Sequence, residues 1–142
     1  MWNHTKEVMN CEIEDWIEDA LAAQQLENRK MDSVNAQHVI SRIQSRFVNG
    51  LPRVWWLGFW AINSRHPSET SKLSVLVTDP DAVGWFIPET EGGRSLVYRL
   101  TAKEVEVVIA DCPFFEYYFL DITEQLLVAE TDHNQFVVAT PK

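Results

Sequence analysis

The sequence predicts an α+β fold, with two N-terminal amphipathic helices packed on a mainly antiparallel sheet of about five or six strands and one further short helix. Three observations carry this expectation. Apolar residues recur at helical spacing up to Phe47, the composition turns aromatic and β-branched after Val54, and the last third of the chain alternates short apolar runs with polar turns. A chain of 142 residues is close to the commonest domain size and long enough to bury about two-thirds of its unfolded surface, so a single domain over residues 1–142 is expected.

Each element follows from local pattern. Between Glu7 and Glu27, residues Met9, Ile13, Trp16, Ile17, Ala20 and Leu21 share one helical face, while Glu12, Glu14, Asp15, Glu18 and Asp19 fill much of the rest. Asp32 and Ser33 offer N-cap oxygens to a second helix whose stripe is Ala36, Val39, Ile40, Ile43 and Phe47, ending before Asn49-Gly50. The run Val54-Trp55-Trp56-Leu57-Gly58-Phe59-Trp60-Ala61-Ile62 is read as entering the core, as a strand or, alternatively, a helical turn. Residues Asn63 to Ser71 read as a polar loop, Leu73 to Val77 and Val83 to Ile87 as short strands, Glu91-Gly92-Gly93 as a turn and Ser95 to Leu100 as a further strand. Thr101 and Glu104 have the spacing of a capping box before Val105, Val108 and Ile109, which favours a short helix over a strand. Phe114 to Ile122, Leu126 to Glu130 and Gln135 to Ala139 then form an antiparallel meander.

Charge narrows the classes of function. The formal net charge of −9 opposes attachment to phosphate backbones, so nucleic acid is not the expected partner. It fits solubility or attraction to a basic protein, where complementary charge accelerates encounter. Acids dominate up to Asn28 and bases from Arg29 to Arg53, so the two helices can complement one another if they are neighbours. No apolar run reaches the roughly 18 residues of a membrane span, and the first residues lack a secretion signal's apolar core, which predicts a cytoplasmic protein without membrane attachment. Cys11 and Cys112 form no CxxC pair and are expected to be reduced thiols, a disulfide between them being the alternative. No cofactor motif is present, since Gly92-Gly93 is too little for a phosphate loop.

Three groups of residues are candidates for chemistry or contact. Glu116 stands among Phe114, Phe115, Tyr117 and Tyr118, where a carboxylate is either a base with a raised pKa, an exposed strand residue, or the partner of Arg94 or Arg99. Glu130, Asp132 and His133 supply acid, base and hydrogen-bonding groups, yet their Glu-Thr-Asp-His-Asn context is that of a polar hairpin turn and a weak zinc signal, so no metal is expected. Trp55 and Trp56 are core residues or contact anchors, and the aromatic run could equally seal a homodimer, the oligomeric state being left open.

The pattern Val83-Gly84-Trp85-Phe86-Ile87, Val97-Tyr98-Arg99, Asp111-Cys112-Pro113-Phe114-Phe115-Glu116-Tyr117-Tyr118 and Glu130-Thr131-Asp132-His133-Asn134 resembles a family of small bacterial domains of unknown function. The resemblance spans about half the chain, from Ser74 onward. The chain departs from it at Asn134, where a second histidine is frequent, and at Leu126-Leu127 in place of Trp-Leu. The resemblance implies a fold neighbourhood, and its members are similar in scale and charge to immunity proteins that neutralise toxins.

Two functions are therefore expected in order. The first is a non-enzymatic protein-binding module, immunity-like, whose Glu12, Asp15, Glu18 and Asp19 steer a basic partner. The second is a small enzyme or ligand-binding domain beside the C-terminal meander, which requires Glu116, Glu130 and His133 to converge.

Overall fold

The computed structural model describes residues 2–90 and 94–142, with side chains from Glu12 onward in the N-terminal helix. Met9 and Cys11, expected on that helix, and the Glu91-Gly92-Gly93 turn therefore lie outside the described side chains and residues. Helices α1 (Trp2–Ala23) and α2 (Ser33–Phe47) come first, followed by a single 3₁₀ turn at Trp55–Gly58. Strand β1 (Ala61–Pro67), helix α3 (Leu73–Leu76), strands β2 (Val83–Pro88) and β3 (Tyr98–Thr101) and helix α4 (Ala102–Ala110) lead into the meander β4 (Tyr117–Leu120), β5 (Leu127–Thr131) and β6 (Gln135–Thr140). The six strands form one antiparallel sheet in the order β1-β6-β5-β4-β2-β3, and the class is α+β.

Alternation along the strands divides the apolar residues between two cores. On the first face, Phe86, Tyr117, Phe119, Val128, Phe136 and Val138 pack with Ile17 and Leu21 of α1, Leu73 of α3 and Val105 and Val108 of α4. On the second face, Ile87, Tyr118, Leu120, Ala129 and Val137 pack with Ala36, Val39, Ile43 and Phe47 of α2. The acidic first helix and the basic second segment thus belong to different cores, and their complementarity is concentrated at one point. There Glu14, turned inward rather than sharing the solvent face, receives Lys30 Nζ and Arg94 Nη2, each at 2.8 Å. Burying one large apolar side chain contributes about 1.5–3 kcal/mol, so the paired cores and not such ion pairs dominate stability.

The helices end where their side chains dictate. Asp32 accepts from the Asn35 backbone N–H at 2.9 Å to start α2, and this hydrogen bonding holds its carboxyl below the ordinary range. The capping box of α4 closes in both directions: Glu104 N–H donates to Thr101 Oγ1 at 3.1 Å and Thr101 N–H to Glu104 Oε1 at 2.9 Å. In β2, Gly84 permits a close approach that no other residue allows, since a Cβ there would lie 2.5 Å from the Leu120 carbonyl oxygen and 2.6 Å from the Phe119 ring.

Four local expectations are corrected. Leu73–Leu76 is a helical turn, because Leu73 and Val77, four residues apart, are buried while the intervening Val75 is exposed. The polar stretch after Asn63 continues β1 to Pro67 instead of forming a loop; it is polar because it lies at the sheet edge with β6 as its one strand neighbour. The Val54–Ile62 run does not enter the core as a whole: Val54 is buried, Trp55, Trp56 and Phe59 are half-buried, and Leu57, Trp60 and Ile62 are exposed. Finally, β3 and β4 are shorter than expected, beginning at Tyr98 and Tyr117.

The two edges of the sheet are finished differently. The Arg29–Met31 segment lies along β3, with Arg99 N–H donating to Arg29 O and Met31 N–H to Val97 O, both at 2.9 Å. Among the described residues β1 has no such cover; it carries a bulge between Ile62 and Ser64, an exposed Arg65 and a terminal Pro67.

Candidate functional site

The register of β4 against β5 decides which of the candidate residues meet. Tyr117 pairs with Glu130 across the strands, so Glu130 shares the first face with Tyr117, while Glu116, one residue earlier, turns to the second face with Tyr118. The expected convergence of Glu116, Glu130 and His133 is therefore corrected: Glu116 and the His133 turn come together, and Glu130 points to the other side of the sheet.

On the second face, Glu116 Oε2 accepts from Trp56 Nε1 at 3.1 Å and from the Asp132 backbone N–H at 2.9 Å. Its partners are an indole and a peptide group rather than Arg94 or Arg99. The His133 ring stands edge-on to Trp56 with centroids 5.6 Å apart, and its Nε2 lies 3.5 Å from Asp132 Oδ1. The Glu130–Asn134 stretch forms the hairpin turn that its composition suggests, with His133 N–H donating to Thr131 Oγ1 at 3.2 Å and Asn134 at φ 57°, a conformation asparagine accepts more readily than most residues. His133 is a largely exposed turn residue.

Beside this cluster, Tyr118 Oη accepts from Trp56 N–H at 3.3 Å and donates to Glu89 Oε1 at 3.5 Å. Burial and the negative charge of Glu116 push the Glu89 carboxyl above its ordinary pKa, against the opposing effects of the Tyr118 hydrogen bond and the Arg53 charge. Trp55 packs on Tyr118 at 4.8 Å between ring centroids. The result is a half-buried aromatic pair pinned from below by acids and hydroxyl, beside Leu57 and Trp60, which are 53% and 45% exposed, and Leu51, which is fully in solvent.

On the first face, Tyr117 Oη donates to Glu130 Oε1 at 2.8 Å. Burial, then the charges of Glu130 and Glu106, push this phenol well above its ordinary pKa and keep it a donor. Cys112, a free thiol, lies half-buried with Sγ 3.5 Å from the Trp16 carbonyl, and burial and Asp111 push its pKa up, which disfavours the thiolate a nucleophile needs.

The four acids proposed to steer a partner are not equivalent. Glu12, Asp15 and Asp19 are exposed on α1, but Glu18 is half-buried and accepts from Tyr98 Oη at 3.1 Å, so it belongs to the packing of α1. Two carboxylates of structural importance went unnoticed in the sequence. One is Glu14; the other is Asp121, buried, which accepts from Thr78 and Thr123 through both backbone N–H and hydroxyl groups at 2.5–3.2 Å. The Asp121–Thr123 spacing was the available signal for the second, since short polar residues two apart form local turns.

No group of three or more His, Cys, Asp and Glu side chains suited to a metal occurs among the described residues. Comparison of the chain with known families, with curated proteins and with solved structures finds no match.

Proposed function

We propose that the protein is a non-enzymatic protein-binding module, an immunity-like inhibitor that presents an aromatic surface to a basic partner in the bacterial cytoplasm. The observation that carries this reading is Trp56. Its indole is held by Glu116, which also holds the Asp132 backbone, so the ring is kept half-exposed in one orientation instead of sinking into the core. A rigid Trp beside exposed Leu57 and Trp60 has the character of a binding hot spot, because little side-chain entropy is lost when a partner covers it. The net charge of −9 supplies long-range attraction to a basic partner, to which the exposed Glu12, Asp15 and Asp19 contribute from α1 on the other side of the sheet.

The test is affinity capture from the native host, followed by binding kinetics with the purified partner. The expected result is a basic protein retained by the wild type and lost with Trp56→Ala and with Leu57→Asp. Neutralising Glu12, Asp15 and Asp19 together to Gln, Asn and Asn should slow association and weaken its salt dependence while leaving dissociation nearly unchanged. A captured set that is the same for wild type and Trp56→Ala, or no basic protein retained even at low salt, sinks the reading.

A further inference from the structure

The first face carries a cavity that this proposed interface does not use. It has a volume of about 450 Å³ and lies between α3, α4 and the segment entering β4. Leu73, Ile109, Phe114, Phe115 and Phe136 give it apolar walls, and its size is within the range of roughly 300–1,000 Å³ that small-molecule sites occupy.

The polar groups in those walls are unequally satisfied. Glu130 Oε1 is engaged by Tyr117, and Glu106 Oε2 accepts from the Ser74 backbone N–H at 2.8 Å, which leaves the second oxygen of each carboxylate without a hydrogen bond among the described residues. Neither acid has a cationic partner among the described residues, although both line the same cavity and both charges act on the same phenol. Ser68 belongs to the wall, but its Oγ is enclosed there, without a hydrogen-bond partner among the described residues, and does not face the open space. Lys72 lines the same cavity and has no carboxylate partner among the described residues. Two open carboxylate oxygens call for a ligand that brings donors, and the aromatic walls call for an apolar body with a cationic end.

We infer that this cavity binds a small primary amine carried on an apolar or aromatic body, its ammonium held between Glu106 and Glu130. The amine is either free or the amino group of an apolar amino acid. In the second case Lys72 takes the ligand carboxylate.

The test is an NMR titration of the full chain with phenethylamine, phenylalanine and the neutral analogue 2-phenylethanol. Saturable shifts at Ser68, Ala110 and Tyr117 are expected with the amine or the amino acid, and at most weak shifts with the alcohol. Glu106→Gln and Glu130→Gln should each weaken binding roughly tenfold. Glu106→Gln leaves the Tyr117–Glu130 bond intact and keeps the test readable if Glu130→Gln disturbs folding. Preference for phenethylamine identifies a free amine; preference for phenylalanine, abolished by Lys72→Met, identifies an amino acid. No saturable shift at millimolar amine or amino acid, equal binding of the alcohol, or unchanged affinity in Glu106→Gln overturns the inference. The site is on the opposite face from Trp56, so its loss would leave the protein-binding reading standing.

Discussion

Tyr117 and Tyr118 are consecutive residues with the same side chain, and they end in different chemistry. Tyr117 is buried on the first face and donates a hydrogen bond to Glu130 at 2.8 Å; Tyr118 is buried on the second, receives a hydrogen bond from Trp56 N–H and reaches Glu89 only at 3.5 Å. The first contact is short and aimed at one acceptor. The second is one link in a longer chain of Trp56, Tyr118, Glu89 and Glu116. A strand that alternates strictly can thus build one rigid anchor and one adjustable network from identical parts, and the two faces should answer mutation differently.

The largest effect should come from crowding the first face. Gly84→Ala places a methyl group against the Leu120 carbonyl and the Phe119 ring and is expected to cost about 3 kcal/mol, read as a fall in the urea midpoint. A tolerated alanine would show that β2 and β4 can separate and that the first face is less rigid than argued here.

The pair of phenol deletions tests the comparison directly. Tyr117→Phe leaves the Glu130 carboxylate without its short-range donor and should cost about 2 kcal/mol, whereas Tyr118→Phe breaks two longer bonds, from Trp56 N–H and to Glu89, and should cost about 1 kcal/mol. Equal losses would mean that distance does not separate the two faces energetically.

The smallest effect is expected at Glu89 and appears as a slope. Its carboxyl is raised above the ordinary 4.5, so the folded protein holds this proton more tightly than the unfolded chain does. Its stabilising contribution is complete below 4.5 and is lost as pH rises through the folded value. Glu89→Gln should therefore flatten the fall of the urea midpoint over that interval, and an unchanged slope would show that burial and the Glu116 charge do not raise the Glu89 carboxyl in the folded protein.

What the sequence disclosed was local. The α4 capping box, the α2 stripe and the C-terminal meander were legible because each depends on residues within a few positions of one another. Leu73–Leu76 was misread because four residues are too few to separate a helical period from a strand. The fate of Glu116 and Glu130 required the register of β4 against β5, one offset that no local pattern contains and that sends the two acids to opposite faces. The inward turn of Glu14 was equally hidden, because its partners Lys30 and Arg94 arrive from distant parts of the chain. The cavity on the first face gathers Lys72 from the loop after β1, Glu106 from α4 and Glu130 from β5, three separate segments, which explains why it left no motif.

The uneven finish of the sheet has a consequence for how molecules of this protein can add to one another. With Arg29–Met31 laid along β3, β1 is, among the described residues, the one strand of the sheet that offers an uncovered margin to a neighbour. Joining by backbone ladders then uses up every available margin after the first union, so such growth terminates at a twofold pair and cannot run on into a fibre.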